Sequence, residues 1–351
     1  MLKARTIVTF VALLLAAGAG CGDDDTSQDG GGGSDGGVGP DAGWSGVCGT
    51  DSAEALMACV EQDRWLADLQ FVAADRYPGT AHWQAVQDRC VTELEGLGFT
   101  VELHDYGTGV NVIGTLTGAT LPAERVLLSA HYDHISDCPG ADDNASGVAG
   151  LFEAVRVLTT ASFDRTLVAA CWDEEERGLI GSSYYAERAL SEGQQLVANY
   201  VFEMIGVYKD APNTQTLPSG LELLFWDEVE ELADNEYRGD FIALIHDSDR
   251  SQQAVDDLVA MAALIGLRTV ALGLDDTLKG SSYTSDLRRS DHASFWELDL
   301  PGIMISDTSE FRYPQYHCYD GDDVVANLTP FFATQVVQIT VGAAARALGV
   351  R

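Results

Sequence analysis

The chain has 351 residues, and its 55 acidic against 20 basic side chains give a formal charge of -35 at pH 7. So acidic a surface repels phosphate backbones rather than condensing on them, which argues against a nucleic-acid partner. Hydrophobic residues make up 46% of the chain, enough to bury a sizeable core, so global disorder is excluded.

Lys3 and Arg5 precede an apolar run from Ile7 to Ala17, the pattern of an export signal over residues 1–20. The run is short for a membrane span. Gly18, Ala19 and Gly20 ahead of Cys21 resemble the lipobox of bacterial lipoproteins, whose cysteine is acylated after cleavage. Gly18 stands where that box usually has leucine, and Ala17-Gly18-Ala19 also reads as an ordinary A-x-A cleavage site. The expectation is an exported protein, either held to the cell envelope by a lipid at Cys21 or freely secreted. Residues 21–46, with Asp23 to Asp25 and Gly30 to Gly33, cannot build a core and read as a flexible tether. The folded domain is expected over residues 47–351.

Within it, Val126 to Ala130, Thr166 to Trp172, Asn199 to Phe202 and Gly302 to Ser306 are short apolar runs of strand length, with helical patterns between the first three. This alternation predicts an α/β fold: a single domain with a mostly parallel central sheet flanked by helices. Val148, Leu151, Phe152 and Val155 recur at helical spacing and place one apolar face of a helix, starting near Asn144 to Ser146, on the sheet. Residues 207–240 fit no simple period, carry Asp227, Glu228, Glu230 and Glu231, and read as an insertion near the rim of a site. Thr329-Pro330 predicts a helix start, with the helix running to about Leu348.

Polar residues gather where the predicted strands end: His131 and Asp133, then Asp173 to Glu176, then Glu203, then Asp307. In open α/β sheets ligands bind outside the carboxyl ends of strands, so these groups can converge on one crevice. Two histidines among carboxylates suit zinc, whereas the absence of a CxxC pair leaves a thiolate site without support. A lone histidine after a strand is usually structural, and His82, His104 and His246 take that reading.

The motifs carry a resemblance. Ser129-Ala130-His131-Tyr132-Asp133, Gly140-Ala141-Asp142-Asp143-Asn144-Ala145-Ser146-Gly147, Glu175-Glu176-Arg177-Gly178-Leu179-Ile180-Gly181-Ser182, Glu203-Met204-Ile205-Gly206, Arg289-Ser290-Asp291-His292 and Tyr316-His317 appear in that order. Over roughly residues 55–348 the chain resembles the zinc-dependent aminopeptidases of metallopeptidase family twenty-eight, which also holds glutamate carboxypeptidases and animal-type glutaminyl cyclases. The resemblance implies two zinc ions bridged by Asp143, with His131 and Glu203 completing one site and Glu176 and His317 the other. It makes Glu175 the general base, Tyr316 the donor to the developing oxyanion and Asp133 the acceptor orienting His131. Many relatives have aspartate at the Glu203 position, and Asp142 is the alternative bridge. Asp291 and His292 are expected to shape the site, and Arg289 to contact substrate or form a surface ion pair.

The function implied is an extracytoplasmic aminopeptidase acting on peptides. A carboxypeptidase or dipeptidase on the same site is the alternative, with Arg177, Arg288, Arg289 and Arg312 as candidate carboxylate binders; a glutaminyl cyclase and a receptor that has lost catalysis are others. Shared ligation would bring the loop after His131 beside the residue after His317, predicting a Cys138–Cys318 disulfide. Cys59–Cys90 is expected as a second pair, with Cys171 free at the end of a buried strand.

Overall fold

The computed structural model describes residues 46–351. The expected export signal, Cys21 and almost all of the expected tether lie outside the described residues. The chain enters through three helices, α1 (Ala53–Met57), α2 (Gln62–Val72) and α3 (Ala81–Gly96), of which α1 and α3 are capped by the hydroxyls of Ser52 and Thr80. The strands are β1 (Thr100–Asp105), β2 (Val110–Leu116), β3 (Leu121–His131), β4 (Arg165–Trp172), β5 (Gln195–Glu203), β6 (Phe241–Asp247), β7 (Arg268–Leu274) and β8 (Ile303–Ser306). They form one eight-stranded sheet in the order β1-β2-β4-β3-β5-β8-β6-β7. Its centre, β4-β3-β5-β8, is parallel, while β1 and β2 join antiparallel at one side and β6 runs antiparallel to β8 at the other. Strands β1, β2, β6 and β7 add to the four expected from the sequence.

Helices cover both faces. The remaining ones are α4 (Gly147–Leu158), α5 (Ile180–Ser191), α6 (Trp226–Asp234), α7 (Gln252–Ile265), α8 (Asp276–Lys279), α9 (His292–Trp296) and α10 (Pro330–Leu348). On β3, Val126, Leu128 and Ala130 face the core built with α2, α4 and α10, whereas Leu127 turns to the opposite layer with Tyr185 of α5 and Phe295 of α9. Both faces being covered explains why the central strands read as continuous apolar runs. Helix α4 is buried almost all round, and its predicted apolar stripe is one part of that surface. Pro330 stands at the first turn of α10 as expected, although the Thr329 side chain makes no capping bond.

Three disulfides are present among the described residues. Cys138–Cys318 is as expected, joining the loop after β3 to the segment after His317. The other two correct the sequence reading: Cys59 pairs with Cys48 and Cys90 with Cys171, so Cys171 is not free. The physical reason is packing. Cys59 closes the short α1 turn back onto the segment that enters it, while Cys90 lies on the fully buried side of α3, which packs over β4 and the cysteine near its end.

Candidate metal centre

Strand ends and the loops that follow them supply the polar groups. His131 ends β3, Glu203 ends β5, and Glu175 and Glu176 follow β4 on a turn whose Glu174 is in the left-handed region (φ 56°). Met204 (φ 53°) and His317 (φ 53°) are left-handed too, and non-glycine residues persist there only when their surroundings hold them. The surroundings are visible. Asn144 donates its side-chain N–H to the Phe202 carbonyl (2.8 Å) and accepts from the Met204 N–H (3.1 Å); Ser146 Oγ accepts from Ile205 N–H (3.0 Å) and Asp142 from Gly206 N–H (2.8 Å). The Gly140–Gly147 motif is thereby laced to Glu203-Met204-Ile205-Gly206, which fixes Asp143 relative to Glu203.

Asp143 lies at the middle. Its Oδ1 is 3.4 Å from His131 Nε2 and its Oδ2 3.1 Å from His317 Nε2. His131 Nε2 is also 3.4 Å from Glu203 Oε2, and His317 Nε2 is 3.1 Å from Glu176 Oε2. The five residues thus form two half-sites, one on each oxygen of Asp143. Asp142 points away, toward Gly206 and Asp307. The donor set fits zinc: both Nε2 atoms are buried without a hydrogen-bond partner, and ligands about 2.0 Å from a tetrahedral zinc lie about 3.3 Å from one another, close to these spacings.

Glu175 shares a donor cluster with His131 and Glu203, whereas Glu176 shares another with His134 and Asp143. Burial, with the carboxylates of Glu176, Glu203 and Asp291 nearby, raises the Glu175 carboxyl well above its usual range despite His131. Burial also opposes ionisation of Glu176, but hydrogen bonds from His134 and His317 prevail and lower it. Asp133 accepts the backbone N–H of Glu175 (3.0 Å) and Glu176 (3.3 Å), and its Oδ1 is 3.5 Å from His131 Nδ1, which lies closer to the Asp133 carbonyl (3.2 Å). Its carboxylate therefore orients the Glu175–Glu176 turn more directly than the imidazole. Tyr316 stacks on His317 with ring centroids 3.8 Å apart, and its hydroxyl accepts from Arg289 (3.2 Å).

Other predicted groups stay outside this cluster. Asp173 accepts from Trp83 Nε1 and Val110 N–H, and Asp307 from Val207 and Ser309 N–H. Of the four arginines weighed as carboxylate binders, Arg312 is buried on the carbonyls of Val207 and Phe241, Arg177 pairs with Glu174 and Arg288 with Glu297. Arg289 alone of these lines the cleft, and it is paired with Glu310. His82, His104 and His246 make local hydrogen bonds away from the centre, as expected.

Three contributors were not read from the sequence. Ser290 donates to Glu203 Oε2 (2.6 Å). Fully buried Arg76, on the loop after α2, donates to the carbonyls of Pro139 (2.7 Å), Gly140 (2.8 Å) and Asp143 (2.7 Å), clamping the loop that carries the central aspartate. His134 donates to Glu176 Oε1 (2.8 Å). Ser290 and His134 sit inside or beside recognised motifs, a signal that was available; Arg76 gives none, because its partners lie more than 60 residues away.

The centre opens into an apolar cleft. Ile245, Val270, Leu272 and Met304 form its floor on β6, β7 and β8, and Leu221, Val229 and Leu232 from the 207–240 segment form a wall. That segment, expected near the rim, is built into the site.

A model of peptidase family M28 matches residues 111–253, a stretch containing His131, Asp143, Glu175, Glu176 and Glu203 in the arrangement just described. Over that stretch the chain is similar to peptidase family M28. Tyr316 and His317 lie beyond the matched stretch yet complete the same centre. Among curated relatives, uncharacterized protein YfbL of Escherichia coli (strain K12) is 32% identical over 203 residues, covering 55% of this chain and 58% of YfbL. Aminopeptidase YwaD of Bacillus subtilis (strain 168) is 34% identical over 102 residues, covering 28% of this chain and 22% of YwaD. The chain spans less than two thirds of these relatives' length. The LapA aminopeptidase of Legionella pneumophila superposes with a TM-score of 0.64 at 18% identity, over 85% of this chain and 74% of LapA, and shares its fold.

Proposed function

We propose that this protein is an extracytoplasmic aminopeptidase of the M28 type that hydrolyses the N-terminal residue of peptides with two zinc ions. The carrying observation is the pair of half-sites sharing Asp143 at the mouth of an apolar cleft, with Glu175 beside them. His131, Asp143 and Glu203 would hold one ion and Glu176, Asp143 and His317 the other. The ions supply Lewis acidity to the scissile carbonyl and acidify the attacking water.

This chain's residues do the rest. Glu175 takes the water's proton and delivers it to the leaving amine. The Tyr316 hydroxyl donates to the developing oxyanion. The apolar cleft receives the side chain of the residue to be removed. The carboxylates of Glu228 and Asp286 in the cleft lining suit a cationic terminal amine, whereas Arg289, the cleft's candidate for a terminal carboxylate, is engaged by Glu310. Arg289 is also the observation that keeps a carboxypeptidase reading in view. Three disulfides support an oxidising compartment, and residues 1–21 supply the export route, with lipid attachment at Cys21.

The test is a panel of apolar N-terminal peptides, free and N-acetylated, assayed with and without chelation. Free peptides should be cleaved and acetylated ones poorly, with two metal equivalents per active chain and loss of activity on chelation. Equal cleavage of both forms, with release of the C-terminal residue, would overturn the aminopeptidase reading.

A further inference from the structure

We infer that His134 is a positioning residue for the Glu176 half-site: its Nδ1–H holds Glu176 Oε1, so that Oε2 is the oxygen presented with Asp143 Oδ2 and His317 Nε2. The inference rests on the two-metal reading and goes beyond it, since it concerns a side chain outside the five donors.

His134 lies three residues past His131 and is fully buried. Its Nδ1 is 2.8 Å from Glu176 Oε1, a hydrogen-bond distance, and 3.9 Å from Asp143 Oδ2. Co-ligands of one tetrahedral zinc sit about 3.3 Å apart, so neither separation suits a sixth ligand. The first is too short and the second too long. An ionised carboxylate only accepts, so the contact fixes Nδ1 as the donor. With Oε1 engaged, Glu176 keeps one free oxygen, and that is Oε2, 3.1 Å from His317 Nε2. The His134 and His317 rings meet edge to face at 5.8 Å on either side of the carboxylate.

The backbone is built around this imidazole. Gly140 adopts φ +57°, and a Cβ there would come within 2.4 Å of His134 Cδ2. Only glycine lets the loop carrying Asp143 approach so closely. Arg76 holds that loop down through the carbonyls on both sides. Outer hydrogen-bond partners of this kind orient a ligand, and their loss typically weakens metal binding about 10-fold to 100-fold.

The test compares His134→Asn, His134→Gln and His134→Phe in the full exported chain, with zinc alone as the probe. Zinc affinity is read by chelator competition, and folding of the metal-free forms by thermal unfolding. The Asn amide nitrogen can take the place of Nδ1 and should keep both zinc affinities within a few-fold. Gln, which reaches the Nε2 place, and Phe, which donates nothing, should weaken one equivalent about 10-fold to 100-fold and leave the other unchanged. Equal affinities in all four proteins, or an Asn variant as weak as the other two, would overturn the inference. A parent protein that binds a single equivalent at full activity would instead refute the two-metal reading beneath it. Should Phe fail to fold, the contrast between Asn and Gln still decides.

Discussion

Glu175 and Glu176 are neighbours on one turn, yet their surroundings push them in opposite directions. Burial among other carboxylates raises the Glu175 carboxyl, while hydrogen bonds from His134 and His317 lower that of Glu176 against the same burial. In the proposed mechanism the two carboxyls divide the work of proton carrier and ligand. The Glu175→Gln variant should keep its metal content and lose about 100-fold to 10,000-fold in kcat, the usual worth of general acid-base catalysis. Metal analysis beside steady-state kinetics checks it; a fall in metal content would make Glu175 a ligand and shift the assignment by one residue.

At the scale of elements, the centre depends on segments distant in sequence being held together. Cys138 and Cys318, separated by 180 residues, tie the loop after β3 to the His317 turn. The double variant Cys138→Ser, Cys318→Ser is expected to lose about 2–5 kcal/mol of stability, as for removal of other native disulfides, together with zinc affinity in the half-site that contains His317. Urea unfolding read beside zinc competition tests this, and unchanged values for both would contradict it.

Helix α9 contributes a pH response of its own. Its first residue, His292, is buried with Nε2 bonded to the Leu287 carbonyl (3.0 Å), and burial pushes its pKa down to about 4. The unfolded chain binds this proton near pH 6.5 and the folded chain only near pH 4, so the stabilisation is complete above 6.5 and is lost as pH falls through that window. By pH 4 the loss should amount to about 3 kcal/mol. A His292→Gln variant should lack that component, and its unfolding free energy should decline less than the parent's between pH 6.5 and 4; parallel declines would refute it.

Over the whole molecule the charge of -35 sets a field that no single residue carries. Cationic peptides should be steered toward the acidic protein, and screening should weaken that steering, since the Debye length falls from about 30 Å at 0.01 M salt to about 10 Å at 0.1 M. The ratio of kcat/KM for a lysine-rich peptide to that for a neutral peptide should therefore fall several-fold over this range. A ratio independent of salt would show that the net charge does not act at the cleft.

The sequence by itself determined the α/β class and the parallel centre of the sheet, while the family resemblance implied the Cys138–Cys318 pair and the five candidate donors that the fold brings together. Such features are written locally, as apolar runs of strand length ending in polar motifs, or are implied by ligands that must meet. Tertiary structure decided what depends on contacts across distant segments. Strand β6 reads as an apolar run, but its antiparallel place beside β8 follows from how the chain crosses the sheet. Cys90 pairs with Cys171 because α3 lies over β4, which neither segment encodes alone. Arg76 serves Asp143 through backbone carbonyls, and a carbonyl has no sequence signature. His134 stood next to a legible motif, but a histidine's role depends on which atom faces its ring nitrogen, and only the folded loop brings Glu176 there.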